Sequence, residues 1–162
     1  MLSKEANERL TRVGPGTPMG ELMRRYWQPV RPFSQLLDEE VIKIKILGEE
    51  LVLYRTTTGK LGLIDSHCPH RQTGLEYGIP DEEGLRCCYH GWLIGPSGDC
   101  LDTPLEAIDS KFKHKIKVTA YPVQVAWTGA DWKLVLPTQE DDIDAAEIQA
   151  LDGFTTWDED SK

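Results

Sequence analysis

Two short segments constrain this chain more than any other feature: His67-Cys68-Pro69-His70-Arg71 and Cys87-Cys88-Tyr89-His90-Gly91-Trp92. Written as donors they are Cys68-x-His70, a gap of 16 residues, then Cys87-x-x-His90. Donors this close in sequence share a tight loop, and two such loops brought together present two thiolates and two imidazoles. The sulfurs of that set can hold one iron of a [2Fe–2S] cluster while the imidazoles hold the other. The same four groups can also surround a single zinc. Zinc sites usually pair like donors, whereas here each loop mixes Cys with His, and the first has one intervening residue. The spacing favours the cluster. Cys88 is the alternative sulfur in the second segment, but C-x-x-H spacing selects Cys87. Cys100 has no ligand spacing and reads as a small core residue.

The surrounding chain is predominantly β in texture. Val41-Ile42-Lys43-Ile44-Lys45-Ile46-Leu47 alternates, with the isoleucines on one face and the lysines on the other. Gly48-Glu49 predicts a turn, Leu51 to Arg55 a returning strand, Thr58-Gly59-Lys60 another turn, and Leu61 to Asp65 a third strand. Further strands are expected over 84–88, 115–119, 123–127 and 131–136, the last two joined by Thr128-Gly129-Ala130-Asp131. Lys111, Lys113, Lys115 and Lys117 then mark one polar strand face. Ahead of the β region, Thr17 reads as an N-cap and Pro18 as the first helical residue, with Leu22, Met23, Tyr26 and Trp27 as an apolar stripe. This predicts a short amphipathic helix over 18–27. Short strands with frequent Gly turns indicate an antiparallel sandwich or small barrel.

Charge narrows the partners. The 162 residues carry 27 acids against 18 Lys and Arg, a formal net charge of −9. Residues 138–162 alone hold nine of the acids and one lysine, so the preceding body is nearly balanced at 18 acids and 17 bases. Nucleic acid is an unsuitable partner without a basic groove for phosphates. No apolar run approaches the ~20 residues of a membrane span, and the polar N-terminus has no signal-peptide core, so a cytoplasmic protein is expected. The expected organisation is an N-terminal helical segment over 1–27, a β domain over 28–137, and an acidic tail over 138–162. A short helix capped by Asp141 or Asp142 is possible within that tail, over 138–151.

Cys68-Pro69-His70-Arg71 and Tyr89-His90-Gly91-Trp92 resemble the two boxes of Rieske domains in aromatic-ring-hydroxylating oxygenases. Arg12 through Trp27 and Gly98-Asp99-Cys100-Leu101-Asp102-Thr103-Pro104 are similar to the phthalate-dioxygenase-like branch, and the likeness covers roughly residues 7–136. The resemblance implies a mainly β, antiparallel Rieske-type sandwich or barrel carrying a [2Fe–2S] cluster. It implies Cys68 and Cys87 on the inner iron and His70 and His90 on the outer, with the imidazole edges near the surface. Tyr89 and Trp92 are expected to cover the cluster. Two positions depart from the family. Gln72 stands where box one usually has Gly, so Gly74 is expected to supply the positive φ of that turn. Cys88 replaces a proline in box two.

Respiratory Rieske proteins carry an additional disulfide across these loops, but Thr73 and Tyr89 occupy those positions here. Their serine donor to a bridging sulfide is Trp92 in this chain. Fewer donors to sulfide imply the low end of the Rieske range, on the order of −150 mV. A complete oxygenase also needs a mononuclear iron on two histidines and a carboxylate. Once His70 and His90 are assigned, only His67 and His114 remain, with no Asp/Glu-x-x-His arrangement near either. The sequence therefore indicates an electron-transfer module. A flavin-dependent reductase or ferredoxin would be its donor and an oxygenase catalytic domain its acceptor, in a possible homotrimer. A non-enzymatic redox sensor with the tail as output, and a structural zinc module, are the alternatives.

Overall fold

A computed structural model describes residues 2–107, 110–126 and 132–135. Two helices open it, α1 (Lys4–Thr11) and α2 (Pro18–Met23), and a one-turn helix α3 (Gln35–Asp38) follows β1 (Gln28–Pro32). The remaining strands are β2 (Val41–Ile46), β3 (Glu49–Arg55), β4 (Leu61–Asp65), β5 (Ile79–Pro80), β6 (Leu85–Arg86), β7 (Leu93–Ile94), β8 (Cys100–Asp102), β9 (Ala120–Tyr121), β10 (Val123–Ala126) and β11 (Trp132–Val135). They form three antiparallel sheets in the orders β1-β11-β10, β2-β3-β4-β9 and β5-β6-β7-β8. The expected mainly β antiparallel class is the class found.

The β2-β3-β4-β9 sheet is the centre because it sends core side chains to both of its faces. Successive side chains of a strand point to opposite faces. Along β3, Leu51 and Leu53 enter a core with Leu36, Ile42, Ile44 and Leu63, while Val52 and Tyr54 enter a second core. Val30 of β1 and Val123 of β10 pack on the first core, so the three-stranded sheet lies on that side. The second core takes Leu85, Ile94 and Cys100 from the β5–β8 sheet, so that sheet covers the other side. A fully buried Leu or Ile stabilises by about 1.5–3 kcal/mol, which makes these paired cores the main source of cohesion. Ile42 and Ile44 are buried and Lys43 and Lys45 exposed, as the alternation in β2 requires.

Local chemistry explains the connections. Leu47 and Gly48 form the two-residue β2–β3 turn with φ of 47° and 83°, the double left-handed geometry whose twist matches a hairpin. Gly62 of β4 stands opposite Tyr54 of β3, and a Cβ there would overlap the Tyr54 ring. That ring crosses the second core, and its hydroxyl donates to the Ile94 carbonyl of β7 at 3.2 Å. Tyr54 thereby ties the central sheet to the β5–β8 sheet.

Several expected boundaries move. The 18–27 helix stops at Met23, and Leu22 and Tyr26 are exposed rather than forming a buried stripe. The chain is held instead by Arg24, which donates to the carbonyls of Val13 and Leu47 and pairs with Glu49. Helix α1, capped by Ser3, buries no side chain, which is why apolar periodicity gave no sign of it. The strand expected over 84–88 is only Leu85–Arg86, since the chain leaves the ladder at Cys87 to form a loop. The strand expected over 115–119 is absent. Phe112–Lys115 is a 3₁₀ turn, Lys117 makes an isolated bridge to Asp99, and pairing resumes at Ala120. Packing of Ile116 and Val118 on the second core overrides the strand-like alternation there. The Thr128–Asp131 turn and the 138–162 tail, with its expected helix, lie outside the described residues.

Two substitutions weigh the Tyr54 tie. Tyr54→Phe removes a single buried hydrogen bond and should cost about 1 kcal/mol in a denaturant titration. Gly62→Val should cost more, about 2–3 kcal/mol, because the overlapped ring has no open volume to move into.

Candidate metal centre

Both sequence segments become loops built on one plan. In the first, the Cys68 carbonyl accepts from Gln72 N–H at 2.9 Å and Cys68 N–H donates to the Thr73 carbonyl at 2.8 Å. In the second, the Cys87 carbonyl accepts from Gly91 N–H at 3.0 Å and Cys87 N–H donates to the Trp92 carbonyl at 2.8 Å. Each cysteine thus closes its loop to the residues four and five positions on. The residue four positions on is left-handed in both, with φ of 57° at Gln72 and 73° at Gly91. The positive φ of box one therefore falls on Gln72, and the expectation for Gly74 is corrected, since its φ is −61°. A Cβ at Gly74 would meet only the carboxylate end of the Glu76 side chain.

The matched loops sort their donors by type. Cys68 and Cys87 are both buried in the second core, 1% and 3% exposed. Their sulfurs interact directly, and burial together with that contact pushes the Cys68 thiol up to about 11. His70 and His90 are half-buried, with ring centroids 4.6 Å apart and planes edge to face. Partial desolvation, His70 and Arg71 lower the His90 pKa, favouring the neutral imidazole that offers a lone pair to a metal. Cys88 is exposed, whereas Cys68 and Cys87 are buried. Among the described residues, no three His, Cys, Asp or Glu side chains gather around one ion position. The donors divide two and two, a sulfur pair inside and an imidazole pair outside. That set fits a cluster of two irons.

The covering residues differ in kind. Trp92, 6% exposed, stacks on His70 at 4.6 Å with the planes 9° apart. Tyr89 is 59% exposed and tilts against His90 at 3.8 Å. Trp92 is therefore part of the wall, and Tyr89 part of the surface. Cys100 is buried core, its thiol raised by that burial. His67 is exposed and engages Ser66 Oγ at 2.9 Å, and His114 is exposed on the 3₁₀ turn.

Sequence reasoning did not single out Arg86. Its guanidinium donates to the Gly91 carbonyl at 2.7 Å, to Asp102 at 3.1 Å and to Asp81 at 2.9 Å. It braces the second loop against β8 and the β5–β6 turn. The available signal was a lone cation directly before Cys87, with acids at 81 and 102 to receive it.

Comparison with known proteins decides the family. Residues 26–122 match the Rieske [2Fe-2S] domain. The chain belongs to the Rieske [2Fe–2S] family. It carries the Rieske-type [2Fe–2S] cluster of that family. A 5,5'-dehydrodivanillate O-demethylase oxygenase subunit of Sphingobium sp. is 44% identical over 140 residues, covering 85% of this chain and 33% of that protein. The phthalate 4,5-dioxygenase oxygenase subunit of Pseudomonas putida is 37% identical over 139 residues, covering 85% and 31%. The terminal oxygenase of carbazole 1,9a-dioxygenase from Nocardioides aromaticivorans superposes with a TM-score of 0.62 at 28% identity, over 76% of this chain and 33% of that one. This Rieske chain spans about a third of the length of these oxygenase relatives.

The loop plan of this Rieske domain makes an asymmetric prediction. Gln72→Gly should raise Tm or leave it unchanged, because relief of the left-handed strain offsets the added unfolded-state entropy. Gly91→Ala should cost about 1–2 kcal/mol, although a Cβ there lies 3.4 Å from Pro104 and meets no clash. Equal losses at both positions would show that the loops are not equivalent.

Proposed function

We propose that Cys68, Cys87, His70 and His90 hold the cluster, the sulfurs on the inner iron and the imidazoles on the outer. On this reading the chain is an electron-transfer module that relays single electrons from a reductase or ferredoxin to an oxygenase iron. Residues 28–137 form its working unit. The observation that carries the reading is the division of donors, with both thiols buried together and both imidazoles meeting near solvent. A zinc module would need four donors around one point, and the pairing supports two metal positions instead. The cluster, when bound, supplies one reversible electron.

The chain's own residues supply the rest. The second core keeps water from the sulfurs, and the loop hydrogen bonds at Cys68 and Cys87 fix where each points. Stacking on Trp92 limits rotation of the His70 ring, and contact with His90 sets the angle between the two imidazoles. The imidazole edges are the part of the site nearest a partner, and an electron crossing there has the shortest path. Trp92 follows Gly91 where respiratory Rieske proteins place a serine donor, supporting a potential at the low end, on the order of −150 mV.

Purified protein should be coloured and become EPR-active on dithionite reduction, with iron and inorganic sulfide in equal amounts. A colourless, EPR-silent protein containing zinc would overturn the reading. Cys88→Ser should leave the cluster and its spectrum intact, whereas Cys87→Ala should abolish both. His70→Cys should retain a cluster with a lower potential, because thiolate stabilises ferric iron better than imidazole does. Redox titration followed by EPR reads that shift.

A further inference from the structure

Between β8 and β9 the chain places Lys111, Lys113, His114, Lys115 and Lys117 within seven residues, with no acid from 110 to 117. Two of these lysines are engaged. Lys113 donates to the Leu101 carbonyl at 2.7 Å, and Lys117 pairs with Asp99 at 3.3 Å. Lys111 and Lys115 are exposed and, among the described residues, have no carboxylate at ion-pair distance. Between them sits Phe112, 42% exposed, its ring 5.9 Å from Trp92 and edge-on to it. Trp92 in turn stacks on His70. A continuous series of ring contacts therefore runs from an exposed, lysine-flanked phenylalanine to an imidazole of the metal centre.

We propose that this turn is the docking surface for the electron donor, and that the donor is a small [2Fe–2S] ferredoxin-type protein with an acidic face around its own cluster. This rests on the electron-transfer reading and adds the donor's chemistry and its seat on this chain. An apolar centre ringed by cations is the anatomy of a protein interface: the ring is desolvated on contact, and the charges orient the approach. Along the sequence the excess negative charge lies elsewhere: nine of the acids lie beyond residue 137, and residues 1–137 carry 18 acids against 17 bases. One electron leaves the donor, which is oxidised, and reduces the cluster held here. No bond is made or broken.

The test uses the whole cluster-loaded chain and a purified acidic plant-type [2Fe–2S] ferredoxin, both oxidised so that only binding is read. Calorimetry should show an affinity that falls steeply with added salt. The double variant Lys111→Glu with Lys115→Glu should weaken binding at least about tenfold and flatten that salt dependence. A control reversal of two other exposed lysines, Lys45→Glu with Lys60→Glu, should change it less than about twofold. Phe112→Ala should weaken binding several-fold without altering the salt slope. No binding by the unaltered chain at low salt, unchanged affinity in the Lys111/Lys115 variant, or an equal loss in the control would each overturn the proposal. EPR of each dithionite-reduced protein separates the two levels. If the unaltered chain gives no signal, the electron-transfer reading itself fails; normal signals with insensitive binding sink only the docking surface.

Discussion

Cys68 and Cys87 lie in the same buried core as Val52, Tyr54, Ile64 and Ile94, and the candidate metal centre depends on that shared burial. One cysteine begins the loop after β4 and the other the loop after β6, in two different sheets. Nothing local brings them together. The apolar inner face of the central sheet must be covered, and the β5–β8 sheet covers it. That packing carries the second loop to the first. The donors are assembled as a by-product of burying hydrocarbon, with Tyr54 spanning both layers and Gly62 leaving room for its ring.

Depth then separates the chemistry. The cysteines start their loops, so they stay at the ladder ends inside the core. The histidines come two and three residues later, at the loop tips, and reach the surface. The resulting gradient from buried sulfur to accessible imidazole suits a centre that must hold its metal tightly yet pass an electron outward. Arg86 reinforces the second loop with contacts to Gly91, Asp102 and Asp81, giving fixed geometry to a segment that has no ladder of its own. The aromatic surround is unequal for the same reason: Trp92 returns toward the core on β7's side of the loop, whereas Tyr89 sits at the tip.

Much of the domain was legible in the chain. The alternation in β2, the Gly-marked turns and the antiparallel class follow from side-chain period and turn chemistry, both local properties. The two Cys/His segments were legible for the same reason, since donor spacing is a sequence quantity. The failures have local causes too. The Lys111–Lys117 alternation matched a strand face, but Ile116 and Val118 pack on the second core and Phe112 contacts Trp92, which winds the start of the segment into a 3₁₀ turn. The apolar stripe of 18–27 predicts a longer helix, yet the α-helix ends at Met23 and the chain continues through tighter turns, Arg25 N–H donating to the Leu22 carbonyl and Tyr26 N–H to that of Met23. At Gln72 an ordinary side chain tolerates a left-handed φ because the loop hydrogen bonds to Cys68 hold it there.

By itself, then, the sequence determined which atoms are available to bind metal, their spacing within each loop, and the strands that frame them. It also placed the acidic excess beyond residue 137, apart from the balanced body. Only the tertiary structure decided that the sulfurs meet inside and the imidazoles outside, that Cys88 faces solvent, and that Arg86 and Phe112 touch the site. Spacing along a chain limits what one loop can do. Relations between loops depend on which apolar faces bury each other, and that is settled only when the sheets pack.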